Sequence, residues 1–253
     1  MAKYIGYATN TLVWVFFAQM YVSAIFSWPG FDITMLEIDW MHTADLGVLV
    51  TVLGNCLLEM FFVLGGTFSN PGQALAKLLT MLTACSRGKP PINDLTMGMV
   101  CAGPSHPPIL KVKAGEARYL LPIVRRMMLD FFEGQSPHAR LRAHMINALQ
   151  KCYDLLDDYC AESMAVHGRK FHMFYNQLNL EAVSENKFSQ RWRIYPKFHL
   201  FIHLCEQGYN PKDTWNYSDE SAIGDCARTT QLCHSRFSST TIIQKHRVFK
   251  YGC

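Results

Sequence analysis

The chain has 253 residues, of which 49% are apolar, 13% aromatic and only 17% charged, so it is neither disordered nor low-complexity and can bury a substantial core. Its net charge of +4 is too small to mark a nucleic-acid binder by itself, but the charge is uneven: residues 111–142 carry +4 and 187–253 carry +5, against −2 for 1–110 and −3 for 143–186. Nine cysteines without a CxxC pair exclude a zinc ribbon and a regular disulfide framework, and they point to a reducing compartment, nuclear or cytoplasmic.

The first element is Thr11–Phe26, a nearly unbroken apolar run of 16 residues interrupted by Gln19. A bilayer-spanning helix needs ~20 residues, and a signal peptide needs a basic start and a cleavage site that are poorly represented here. Residues 1–27 therefore form a separate apolar segment: a buried element, a membrane anchor through 11–26, or a start foreign to the ancestral domain. Trp28–Phe31 is a turn, and Ile33–Ile38 a short β-compatible run that delivers Asp39 at its end.

Beyond Asp39 the spacing turns helical. Leu46–Leu64 has helical periodicity, and Asn55 and Glu59 inside its apolar stretch argue for a buried helix of a soluble protein over a span. Gly65-Gly66 stops it, and Ser69-Asn70-Pro71 opens a helix reaching Cys85. A short helix follows from Asp94. Long helices are predicted over Ala114–Phe132, Pro137–Asp158 and 161–182, then Lys197–Cys205 after Pro196, then one from Ser218 toward Phe237. No repeat of fixed period is present.

Three local patterns carry possible chemistry. Asp39-Trp40-Met41-His42 is a DxxH ahead of Leu46-Gly47-Val48. Asp39 is either a ligand for a divalent cation or the N-cap of the next helix, with His42 in its first turn. Pro196–His203 (PKFHLFIH) sets His199 and His203 at i and i+4 on one helix face, a spacing that can hold zinc but has no evident third ligand, or else makes a hydrogen-bonded pair. Trp215–Glu220 (WNYSDE) leads aromatic residues into a helix with acids in its first turn, which complementarity to the helix dipole alone would explain.

In this order, a DxxH followed by Leu-Gly-Val, a long helical segment, PKFHLFIH, a glycine-containing loop and an aromatic residue before a Glu, the chain resembles the C-terminal part of a DDE transposase. The likeness is to the RNase H-like transposases with a helical insertion, the group that includes hAT, CACTA and Kyakuja-Dileera-Zisupton elements, and covers roughly residues 28–250. Lys111–Arg118 with Leu120-Leu121-Pro122 also resembles a recurring stretch of that insertion.

The resemblance implies a mixed α/β, dominantly α-helical fold. A truncated, incomplete RNase H-like core would occupy 28–253, with a large all-α insertion over about 55–190. It assigns Asp39 and Glu220 as the second and last acids of a site for Mg²⁺ or Mn²⁺, with Asp219 a weaker substitute for Glu220, and His42, His199 and His203 as motif residues. The two carboxylates, 181 positions apart, would lie within about 10 Å to share cations ~3.5–4 Å apart. The first acid of the family has no equivalent here, because Asp32 stands only seven residues before Asp39. The implied function is that of a transposon-derived protein with catalysis lost and DNA as the partner. Lys111, Lys113, Arg118, Arg125, Arg126, Arg191, Arg193 and Lys197 are candidate phosphate contacts, unless they are solvated helix faces. A membrane-anchored helical domain without a DNA role is the competing reading. The oligomeric state is not legible in the sequence.

Overall fold

The computed structural model describes residues 38–65, 71–86, 95–103, 105–132, 134, 136–184 and 190–217. The apolar run 11–26, the expected strand residues 33–37, Asp32, Asp219, Glu220 and the helix expected from Ser218 lie outside them. The chain divides into two compact units, Met1–Ile38 and Asp39–Cys253, and all the described helices belong to the second. Helices take up 77% of the described residues, with no strand among them.

The central rod is α1, wound as a π-helix over Met41–Leu49 and continuing as an α-helix over Val50–Gly65. It begins five residues before the periodicity predicts, because the Asp39 carboxylate accepts the His42 N–H and supplies the cap that the apolar pattern does not reveal. Val48, Leu49, Val52, Leu53, Cys56, Leu57 and Met60 are fully buried. The segment Met41–Leu64 is long and apolar enough to cross a membrane by length and composition, yet 72% of its most apolar window is buried inside the protein. Around it stand α2 (Pro71–Cys85), the short α3 (Met97–Val100), α4 (Ala114–Met127, with a π-wound end Met128–Phe132) and α7 (Pro196–Glu206). The paired helices α5 (Pro137–Asp154) and α6 (Ala161–Ser184) pack on each other, and α7 packs on α6.

Capping chemistry sets several of these boundaries. The Ser136 hydroxyl accepts the Ala139 N–H ahead of Pro137, which suits the first turn of α5. Glu116 reaches back to the Lys113 N–H at the start of α4. Gly54 is required by close approach: a Cβ there would stand 2.5 Å from the Pro108 carbonyl oxygen, where the loop lays the Leu110 N–H on the Val50 carbonyl at 2.9 Å.

Glu59 is the polar anchor of the core. Its side chain is 5% exposed, and its oxygens meet three hydrogen-bond donors and one further cation: Arg191 at 3.2 Å and the Trp192 indole N–H at 2.6 Å on Oε1, His138 at 2.9 Å on Oε2, and Arg142 as an ion pair 2.9 Å from Oε2. Burial by itself would raise the Glu59 pKa, but the hydrogen bond from His138 and the charges of Arg142 and His138 hold it below the ordinary carboxylate value. His138 is pushed up, chiefly by its bond to Glu59, and its Nδ1 meets Glu181 of α6 at 2.6 Å. One residue after Arg191, Trp192 has φ +54°, a left-handed conformation unfavourable for a bulky residue. Asn55 accepts its N–H at 2.7 Å and Asn179 donates to its carbonyl at 2.9 Å.

Glu59→Ala should cost about 3–5 kcal/mol, because it strands the buried Arg142 without its counter-charge. Gly54→Ala should cost ~1–3 kcal/mol through the forced retreat of the Pro108 backbone. Urea denaturation at neutral pH measures both. Since the raised pKa of His138 favours folding fully below ~6.5 and less as pH climbs through its folded value, the penalty of Glu59→Ala should shrink above neutrality.

Candidate functional site

Described residues of all three motifs, Asp39 and His42, Lys197, and Asn216 with Tyr217, meet at the N-terminal end of α1. Asp39 stands just before the helix, and its Oδ2 accepts both the His42 N–H and the His42 ring Nδ1 at 2.7 Å. From 177 positions away, the Asn216 N–H donates to Asp39 Oδ1 at 3.1 Å. The Asn216 amide also lies against both carboxylate oxygens and, with its nitrogen facing them, donates to each. Lys197 of the PKFH motif extends its Nζ to the His42 carbonyl at 2.8 Å. Gly47 makes room for this reach, since a Cβ there would stand 2.4 Å from Lys197 Cδ.

About one turn into α1, Asp45 is fully buried. The Tyr153 hydroxyl donates to Oδ1 at 2.7 Å and the Tyr217 hydroxyl to Oδ2 at 2.5 Å. Burial pushes the Asp45 carboxyl up to about 6, against the lowering influence of these two hydroxyls and of the Arg118 charge. Arg118 lies 4.8 Å from the centre of the Trp215 ring and 5.9 Å from those of Tyr153 and Tyr217, a cation held by aromatic faces. Lys212 lies 5.7 Å from the centre of the Trp215 ring and pairs with Asp157 at 2.5 Å. Sequence reasoning missed Asp45 and Tyr153. The one available signal was a charged residue inside an otherwise apolar helix, which demands partners.

The basic residues separate into two groups. Arg191 pairs with Glu59, Arg118 with the aromatic rings, Lys197 with the His42 carbonyl, and the Arg125 Nε donates to Asn147 at 2.8 Å. Arg118 and Arg125, seven positions apart on α4, both turn toward α5. Lys111, Lys113, Arg126 and Arg193 are exposed, Arg126 in a surface pair with Asp130 at 3.2 Å and Arg193 over the Tyr195 ring at 5.6 Å. His199 and His203 face each other, with their Nε2 atoms 2.9 Å apart. Glu220 lies outside the described residues, three positions after Tyr217.

Among the described residues, no group of three or more His, Cys, Asp or Glu side chains is placed to hold a metal ion. Asp39 offers a single carboxylate whose oxygens already take three N–H donors, and Asp45 is enclosed by tyrosines. These residues alone do not fit a two-cation centre. No family model, curated protein or solved structure matches the chain.

A buried acid with a raised pKa destabilises the folded state above that value. Folded protein binds the Asp45 proton between about pH 4 and 6 while the unfolded chain does not, so stability should rise as pH falls through this window by up to ~3 kcal/mol from this group. Asp45→Asn should abolish that rise and be neutral or stabilising at pH 7. Denaturation midpoints at pH 4.5 and 7 measure the difference.

Proposed function

We propose that the chain is a transposase-derived helical domain that contacts DNA without cutting it. In this reading the Asp39 end of α1 corresponds to the acid site of the RNase H-like transposases. The observation that carries the reading is the convergence of its three motifs. Asp39 and His42, Lys197 and Asn216 are joined by direct hydrogen bonds across up to 177 positions, and the intervening helices α2 to α6 take the place of the family's insertion. A chance likeness of short motifs has no reason to bring all three to one end of one helix.

The chemistry argues against cleavage by this chain. Phosphodiester transfer by two cations needs several carboxylates with free oxygens, and Asp39 acts as a helix cap while Asp45 is enclosed and partly neutralised. What remains for nucleic acid is sequence-tolerant contact with phosphates through the exposed Lys111, Lys113, Arg126 and Arg193. The cations spent inside the fold, Arg118 and Arg191, serve stability instead.

Fluorescence anisotropy with a labelled duplex tests this. Affinity should fall steeply between ~50 and ~200 mM salt, and the triple change Lys111→Ala, Lys113→Ala, Arg126→Ala should flatten the salt slope by up to ~3. Arg118→Ala should lower the melting temperature, leaving that slope nearly unchanged. Absence of duplex binding at low salt would sink the DNA reading. Mg²⁺- or Mn²⁺-dependent nicking that disappears in Asp39→Asn would overturn the non-catalytic assignment.

A further inference from the structure

The DNA reading assigns no chemistry to the histidine pair of α7, and its geometry points to a ligand of its own. We propose that His199 and His203 form a bidentate site for a divalent transition ion of the zinc, nickel and copper class on the exposed side of α7.

The two Nε2 atoms are 2.9 Å apart, and the ring centres are 4.5 Å apart with the planes at 86°. Two imidazoles bound cis to one ion at the usual ~2.05 Å have nitrogens about 2.9 Å and ring centres about 4.5 Å apart. The helix thus already holds both donors at the spacing of a chelate, so binding needs little rearrangement. The i, i+4 register supplies this because the two side chains project one above the other. Among the described residues no third ligand is in place, so water completes the coordination sphere.

The donor set selects the metal. Imidazole nitrogen suits zinc, nickel and copper and is a poor ligand for magnesium or calcium, which take oxygen. In the metal-free pair one ring donates its Nε2–H to the other. Binding requires both Nε2 lone pairs, so that ring carries its proton on Nδ1 in the complex, and no net proton is gained or lost by a neutral pair.

Calorimetric titration of the full chain with Ni²⁺ at pH 7 should show one saturable site of micromolar affinity. His199→Gln and His203→Gln should each weaken it at least tenfold, and Cys160→Ser, an exposed thiol, should leave it unchanged. On the unaltered protein, Ni²⁺ should protect His199 and His203, but not His106, from diethyl pyrocarbonate, as read by peptide mass spectrometry; Mg²⁺ should not. The proposal fails if Ni²⁺ binds equally well to both histidine variants, if no saturable site exists, or if protection is spread evenly over the histidines.

Discussion

A carboxylate buried in the middle of an apolar helix must be met by donors from every side, and Glu59 is the point at which this requirement organises the protein. An isolated ionised group there would be several kcal/mol too costly to keep. The fold answers with Arg142 and His138 from α5 and with Arg191 and Trp192 from the turn ahead of α7. His138 passes the connection on to Glu181 of α6. Segments up to 133 positions apart are tied to one atom pair, and each must be in place for the others to be satisfied.

The same knot explains the left-handed backbone of Trp192. Its N–H, indole N–H and carbonyl are all claimed, by Asn55, Glu59 and Asn179, so the surroundings over-determine an otherwise unfavourable conformation. The Trp192 ring then enters the aromatic cluster of Tyr175, Phe198, Phe171 and Phe201, which sets α7 against α6. With α7 placed, Lys197 reaches the first turn of α1 and Phe201 meets Trp40. The geometry at Asp39 is therefore downstream of a polar knot on the opposite half of the same helix.

The two aspartates at the start of α1 show how environment divides identical groups. Asp39, at the helix end, is solvated enough to serve as a cap and to take N–H donors from two sides. Asp45, six positions on, is enclosed by hydroxyls and offset by a guanidinium that itself lies on aromatic rings, and its charge is poorly supported.

Helix periodicity, caps and breakers placed most elements from sequence alone. The helices from Pro71, Ala114, Pro137, Ala161 and Pro196 follow apolar spacing, and three of them open on proline, because these signals are local and obey the 3.6-residue period. Asn55 and Glu59 also marked α1 as a buried helix, since such residues demand internal partners. The histidine pair was legible too, as i, i+4 spacing fixes it within one turn. What the sequence could not show was who answers whom. The choice of Glu59 as the meeting point of three cations, the enclosure of Asp45 by Tyr153 and Tyr217, and the engagement of the half-buried Arg118, Arg125 and Arg191 by partners within the fold all depend on contacts between distant segments. A basic residue on a predicted helix reads alike whether it meets phosphate, solvent or a buried acid; only the packing of neighbouring helices decides which, because burial and pairing are properties of the assembled fold and not of the local chain.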